Sequence, residues 1–567
     1  MSNFSPLNPL VTALLTDKYQ ITMAYAYWRN GTHENHAVFD LFFRTAPFKG
    51  HTAIFAGLEE SLRFVASFKF TPAEIDFVRA ELPHAEDAFF DWLASLDASQ
   101  VRVDAIDEGT VVLGKVPLLR IEGPLAVCQL LETTLLVLVN FATLMATNAS
   151  RLCIAANGGR VVEFGLRRAQ GPDGGISAAR YAFVGGAWGT SNMTAARLLG
   201  IPVTGTHAHA FVTSFGADEQ LKRRTMAPKD GGADVDFVAL VEQCRAKLGI
   251  DGTNRGELTA FTAYALAFPD GFLALVDTYD TLRSGVLNFL VVAVALHHVG
   301  RRAIGIRLDS GDLAHLSNAA RDKFREFSRL VAAPYFAEFT IVASNDLNEA
   351  TILALRAQGH SIDVFGVGTQ LVTCSSQPAL GGVFKLVEID GLPRIKLSED
   401  IAKANMPGRK VAYRLRKNGI VVDRLQLTAE AAPLASQRLM CVHPFESHER
   451  SWIAPTNVER LLNVYFVGNR VNVDAADLAA AAEPSLIDLQ LTNNDREQAL
   501  KLIGTNQPTT SAGKIVRTLP PLAHLRARAL AGASESEQYE FSLSVSQQLH
   551  DQIRTVWLAE APIHEVL

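Results

Sequence analysis

Phe272-Leu273-Ala274-Leu275-Val276-Asp277 opens the most regular part of the chain. It is a short apolar run that ends on a carboxylate. A helical pattern follows over 284–298, then Ala303-Ile304-Gly305-Ile306-Arg307-Leu308, a second apolar run with Asp309 directly behind it. Two more rounds come next. A helical stretch over 313–331 leads to Phe339-Thr340-Ile341-Val342-Ala343, and one over 347–358 leads to Ile362-Asp363-Val364-Phe365-Gly366. Short apolar runs alternating with helices at this spacing predict βα units with parallel strands.

The pattern extends outward in both directions. Upstream, Arg160-Val161-Val162-Glu163-Phe164 predicts a strand, and 178–199 is helical with a break at Gly185, Gly186 and Gly189. Ile201-Pro202-Val203-Thr204 predicts a further buried strand. Residues 216–271 form an insertion with one helix over 235–248. Downstream, Val383-Phe384-Lys385-Leu386-Val387 is taken as the last strand of the series. A count of about seven or eight strands favours an α/β fold with an irregular (β/α) barrel. This catalytic barrel is assigned to 151–397. Residues 1–150 read as an N-terminal α+β domain, with helices over 16–30, 57–68, 71–82 and 87–96 and a small β module over 101–124. Residues 398–567 read as a C-terminal extension that packs partly back on the N-terminal domain. Its Ala-rich stretches 475–483 and 527–537 are expected to include flexible segments.

Composition narrows the functional class. The 567 residues are 48% hydrophobic and 20% charged, with a net charge of -6. That balance gives no reason to expect nucleic acid or an anionic membrane as a partner. The five cysteines form no CxxC pair, which fits a reducing compartment and argues against a disulfide framework or structural zinc. The first residues lack the basic and small-residue marks of a signal peptide, so a cytoplasmic protein is expected. The apolar stretch 125–145 carries Gln129, Glu132 and Asn140, and 286–299 is too short to cross a bilayer. Both predict buried core helices.

In a barrel of parallel strands the C-terminal ends converge on one mouth, where the active site is built. Here those ends carry Arg167, Thr206, His209, Asp277, Arg307, Asp309, Asn345, Asp346, Gly366, Gly368 and Thr369. Gly205-Thr206-His207-Ala208-His209 places two histidines two residues apart, and a His titrating near neutrality can exchange protons or accept a phosphoryl group. Gly366-Val367-Gly368-Thr369 follows a strand late in the order, where backbone N–H groups can hold a phosphate. A GxGT turn by itself is more often only a turn. Arg307 offers a planar fork for a carboxylate or phosphate. Asp309 can accept two ribose hydroxyls. Asp312 suits a helix cap. Asp277 can orient His209, assist a magnesium–diphosphate complex, or cap a helix. Together these groups suit a sugar phosphate bearing further phosphate that reacts with a planar acid.

At these residues the chain resembles the nicotinate phosphoribosyltransferase family, in particular its long, eukaryote-like branch. The matching segments are Leu15-Thr16-Asp17-Lys18-Tyr19-Gln20-Ile21-Thr22-Met23, Phe42-Phe43-Arg44, and 164–175 from Phe164-Gly165-Leu166-Arg167-Arg168 to Gly175. They continue in the same order with Gly205-Thr206-His207-Ala208-His209, Val276-Asp277-Thr278-Tyr279, 307–313 and Phe365-Gly366-Val367-Gly368-Thr369. The resemblance implies the irregular barrel of a type II phosphoribosyltransferase. It implies synthesis of nicotinate mononucleotide and pyrophosphate from nicotinate and 5-phosphoribosyl 1-pyrophosphate, coupled to ATP through a phosphohistidine. The family's GT-x-A-H pattern selects His209 as that residue, with Asp277 acting beside it in catalysis. Tyr19, supplied by the second subunit of a homodimer, would stack on the pyridine ring opposite Phe164. Arg307 and Thr206 would meet the nicotinate carboxylate or ribose phosphate, Arg167 would hold a phosphate, and Asp309 and Asn345 would complete the substrate contacts. Gly366, Gly368 and Thr369 would cradle the 5-phosphate. Magnesium would arrive with the diphosphate, with no protein ligand assigned.

Three other readings are less favoured by these residues. A nicotinamide phosphoribosyltransferase would carry an Asp where this chain has Ser191, and a quinolinate enzyme would need more cations. A catalytically silent nucleotide-binding barrel would be expected to have lost His209, Arg307 or Asp309.

Overall fold

The computed structural model describes residues 4–216, 221–397, 404–446, 448–472, 512–517 and 519–560. The chain forms two compact units. One comprises Arg151–Phe183 and Ala187–Ser375; the other comprises Met1–Ser150, Val184–Gly186 and Ser376–Leu567.

The first of these holds the parallel strands. Its sheet runs in the order Leu273–Leu275, Gly305–Leu308, Thr340–Ala343, Val364–Val367, Arg160–Glu163, Gly189–Thr190. Every hydrogen-bonded pair in it is parallel. The helices Val286–His298, Leu313–Leu330 and Glu349–Gln358 follow three of the strands, as the alternation predicts. Asp312 and Asn348 cap the second and third, accepting from the backbone N–H of His315 and Thr351. Asp312 is therefore a capping residue. The sheet is a half-barrel. Ile201-Pro202-Val203-Thr204 does not add a full strand; it contributes one parallel bridge, Thr190 to Val203. Pro202 has no N–H to give to a ladder, which is enough to shorten so small an element. The insertion holds two helices rather than one, Phe237–Lys247 and Arg255–Ala267.

The expected last strand lies elsewhere. Gly382–Ile389 runs antiparallel to His36–Phe43 in the other unit, so the parallel-strand unit ends at Ser375 and not at 397. That other unit contains a seven-stranded antiparallel sheet, in the order Leu392–Pro393, Gly382–Ile389, His36–Phe43, Leu119–Pro124, Arg102–Ile106, Leu462–Gly468, Gly513–Ile515. It also contains a six-stranded sheet built on the Lys410–Lys417 and Ile420–Leu427 hairpin. The Ala-rich stretch 527–537 lies inside the helix Leu522–Gln538; 475–483 lies outside the described residues. Among the described residues two helices are long and apolar enough by composition to cross a membrane, Glu132–Ala155 and Thr281–His298. Of the apolar window of each, 67% is buried within the fold, as core helices require.

The antiparallel unit is held by buried charge. Lys410 Nζ donates to Asp40 Oδ2 at 2.6 Å, with each side chain 2% exposed. Arg120 lies 2.6 Å from Glu122 and bonds Asp104, which also receives Arg102 at 2.7 Å. Burial pushes the Asp40 carboxyl up and the Lys410 ammonium down, so each depends on the other to stay ionised. Losing one partner strands the other. Lys410→Met should cost about 3–5 kcal/mol of stability, and adding Asp40→Leu should recover most of that loss. Urea unfolding of the two variants checks both halves.

Candidate active site

Parallel alignment brings the C-terminal ends of all six strands to one edge of the half-barrel. Asp277 sits just beyond Leu273–Leu275, and Asp309 directly follows Gly305–Leu308. Ser344 and Asn345 follow Thr340–Ala343, Gly368 follows Val364–Val367, Phe164 follows Arg160–Glu163, and Ser191 follows Gly189–Thr190.

Asp277 is the hub. Its side chain is 1% exposed. Oδ2 accepts from the Asp309 backbone N–H at 2.8 Å and from the Ser310 hydroxyl at 2.6 Å. Oδ1 is buried without a hydrogen-bond partner and lies 4.0 Å from His209 Nε2. The helix-capping work that Asp277 also suited is done by Asp280, which accepts from Leu282 and Arg283.

His209 does not end a strand. It opens the short helix His209–Thr213. Its Nδ1 is hydrogen-bonded to the Thr278 hydroxyl at 3.0 Å, and its Nε2 faces two carboxylates, Asp309 at 3.8 Å and Asp277. At 44% side-chain exposure it is open to an incoming group. His207 has the opposite surroundings. It is buried, and its ring packs against Phe211, Phe261 and Tyr264 at 5.3, 6.1 and 4.9 Å between centroids. Its Nε2 accepts the Leu275 N–H at 3.3 Å. Burial first, then the neighbouring charges of Arg307 and His209, pulls its pKa down to about 4. It is a neutral core imidazole, and the accessible histidine of the pair is His209.

Arg307 and Asp309 hold each other. Arg307 Nη2 donates to Asp309 Oδ1 at 3.0 Å, and Nε donates to Ser344 Oγ at 2.8 Å. Ser344 Oγ also donates to Asp309 Oδ1. Asp309 Oδ1 is thus committed, which leaves Oδ2, not the whole carboxylate, to meet a ligand. The Arg307 guanidinium lies 5.6 Å from the centre of the Phe164 ring. That ring rests on Gly366, where any Cβ would overlap it. Gly366 is therefore required for packing. Gly368 stands at φ -103, ψ -103 and begins the helix Thr369–Thr373. Asn345 and Asp346 hold φ of 94 and 45, a left-handed pair that non-glycine residues seldom adopt and that clusters at working sites.

The remaining expected residues are less tightly placed. Thr206 is half-buried and its hydroxyl has no partner; Arg167 is exposed in the turn Leu166–Arg168. Tyr19 belongs to the other unit, where it is 48% exposed and lines a hollow with Asp17, Thr133, Asn140 and Leu380. Thr278 and Ser344 were not singled out from sequence, although both stand beside residues that were. Two buried acids were also missed. Glu163 accepts from Thr190 Oγ1 at 2.5 Å and from the Gly165 N–H, which fixes the turn behind Phe164; burial pushes its carboxyl up. Glu257 accepts from Ser284 at 2.6 Å and Asn288 at 3.0 Å beneath the π-helical turn Thr281–Gly285.

Among the described residues no three His, Cys, Asp or Glu side chains gather to cage an ion. The unpartnered Asp277 Oδ1 and the Oδ2 of half-buried Asp309 are hard oxygen donors, the type magnesium takes when phosphates and water complete its shell.

Comparison with known proteins agrees along the chain. Residues 14–140 match the nicotinate phosphoribosyltransferase (NAPRTase) N-terminal domain, 160–420 the nicotinate phosphoribosyltransferase (NAPRTase) family, and 409–501 the nicotinate phosphoribosyltransferase C-terminal domain. The chain is 46% identical over 571 residues to nicotinate phosphoribosyltransferase of Dictyostelium discoideum, covering 99% of this chain and 91% of that protein. It is 48% identical over 573 residues to nicotinate phosphoribosyltransferase 2 of Arabidopsis thaliana, covering 99% and 97%. Its fold is similar to the crystal structure of human nicotinic acid phosphoribosyltransferase. The TM-score is 0.78 at 37% identity, over 96% of this chain and 100% of that one.

Glu257 generates a pH prediction. Burial, with Asp277 and Asp280 adding repulsion, pushes its pKa up to about 7 from 4.5. The folded state then holds this proton over a pH range where the unfolded state has lost it. Its contribution is complete below about pH 4.5 and fades as pH rises through about 7. Glu257→Gln keeps the hydrogen bonds without the titration. The variant should gain on the parent by about 1–3 kcal/mol between pH 5 and pH 8. Denaturant midpoints at the two pH values are the measurement.

Proposed function

Because this chain belongs to the nicotinate phosphoribosyltransferase family and is an enzyme of NAD salvage from nicotinate, we propose that His209 is phosphorylated by ATP and couples that energy to transfer of the phosphoribosyl group onto nicotinate. The observation that carries this is the setting of His209: half-exposed at the mouth, one ring nitrogen held by Thr278 and the other facing Asp277 and Asp309. A neutral imidazole attacks the γ-phosphorus, a P–N bond forms, the bridging P–O bond breaks, and ADP leaves. The added negative charge then repositions Arg307 and the loops around the diphosphate.

Ribosyl transfer itself needs positioning and charge stabilisation more than covalent help. The pyridine ring sits between Phe164 and the Tyr19 of a second subunit, and its carboxylate meets Arg307 and Thr206. The pyridine nitrogen attacks C1 of the ribose as the bond to pyrophosphate breaks. Asp309 Oδ2 takes a ribose hydroxyl, Gly366 to Thr369 and Asn345 line the phosphate end, and Arg167 reaches a phosphate from the rim. Magnesium, when bound, neutralises the diphosphate as its charge accumulates. Asp277 and Asp309 would hold that ion together with the diphosphate. The enzyme works as a homodimer with shared sites in the cytoplasm, and its acidic net charge favours neither nucleic acid nor membrane.

Three outcomes are expected. With γ-³²P-labelled ATP, His209→Ala should lose acid-labile protein label altogether, whereas His207→Ala should still be labelled, though more slowly; label kept in His209→Ala and abolished in His207→Ala would make His207 the acceptor. Ser191 lies one residue beyond its strand end, and a carboxylate there would repel nicotinate. Ser191→Asp should lower kcat/KM for nicotinate by about tenfold or more, roughly 1.4 kcal/mol of lost transition-state binding. Full activity in that variant would show that Ser191 does not face the ring. Sedimentation should give a dimer at working concentration, and an active monomer would remove Tyr19 from the site.

A further inference from the structure

We propose that His207 is a positioning residue that stands in for a missing barrel hydrogen bond and thereby sets His209 against Asp277. The sheet explains why such a link is needed. On one side, Leu273–Leu275 pairs in parallel with Gly305–Leu308. Backbone bonds to that neighbour come from alternate residues: Ile304 N–H donates to Phe272 O, and Val276 N–H donates to Arg307 O. The intervening Leu275 therefore points its N–H out of the open edge of the half-barrel. The chain leaving the opposite edge is the segment that bridges Thr190 at Val203, where Thr204 N–H donates to Thr190 O. Four residues beyond Val203, His207 reaches the Leu275 N–H with Nε2 at 3.3 Å. One imidazole thus spans the two edges at the point where a closed barrel would have a ladder bond.

The same link fixes the reacting residue. The 207–209 segment is tied to the 275–278 segment twice, once by His207 to Leu275 and once by His209 to Thr278. Phe211, Phe261 and Tyr264 enclose the His207 ring, so it has little room to swing away. Its accepting Nε2 requires the proton to sit on the buried Nδ1.

This inference rests on His209 being the working residue, and the test separates the two. His207→Gln can place an amide oxygen near the position of Nε2; His207→Leu cannot accept a hydrogen bond. In the Leu variant, kcat for nicotinate mononucleotide formation should fall about tenfold, with KM for nicotinate within about threefold. Exchange of the Leu275 amide should be faster by at least a similar factor. The Gln variant should recover both to within about threefold. Equal kcat in the two variants, whether both impaired or both unimpaired, overturns the proposal, and so does unchanged Leu275 exchange in the Leu variant. If the Leu variant does not fold, His207→Met replaces it under the same criteria. Loss of the acid-labile ATP label in His209→Ala reports on His209 independently, because that variant leaves His207 in place.

Discussion

Every hydrogen-bonded neighbour in the sheet of the half-barrel runs the same way, and the site depends on that. Parallel pairing sends all strand C-termini to one edge, so residues separated by some two hundred positions, from Phe164 to Gly368, become neighbours without any long-range loop having to find its place. It also dictates the helices, because each parallel step needs a crossover. The half-barrel keeps this geometry with few strands. What it gives up is the ladder at its open edge, where a side chain takes the place of a backbone carbonyl.

At the mouth, polar atoms are shared economically. Asp277 uses one oxygen to fix the backbone of Asp309 and the hydroxyl of Ser310, and keeps the other unpaired towards His209. Asp309 does the reverse, giving one oxygen to Arg307 and Ser344 and turning the other to the same imidazole. The two carboxylates are therefore each half committed to structure and half turned towards the His209 ring. Substituting either should disturb both, which limits what alanine variants at these positions can separate.

Much of this was legible in the sequence. The regular alternation over 272–369 gave the strands and their order, because each apolar run is bounded by charge or glycine. The strand-end residues Asp277, Arg307, Asp309 and Gly366 follow directly from it. Val383 to Val387 reads in sequence like one more parallel strand because a short apolar run carries no mark of its neighbour, and only pairing with His36–Phe43 reveals that it is antiparallel. The helix Arg255–Ala267 was overlooked in the insertion, although Asn254 caps it in an ordinary way. Thr278 and Ser344 are invisible to pattern reading, since a hydroxyl next to a charged residue has no periodicity to betray it. The contrast between His207 and His209 is tertiary, set by which ring Phe261 and Tyr264 of the Arg255–Ala267 helix cover.

The pairing of His36–Phe43 with Gly382–Ile389 has a meaning in time as well as in space. The strand is buried along nearly its whole length, yet this partner is synthesised roughly 340 residues later, which at ribosomal speeds of about 5–20 residues per second is a wait of roughly 20–70 s. The half-barrel, by contrast, is complete in sequence before Gly382 emerges. The first unit to begin on the ribosome is thus the last to close, and its apolar strand must be sheltered by a chaperone or by provisional contacts until its neighbour arrives.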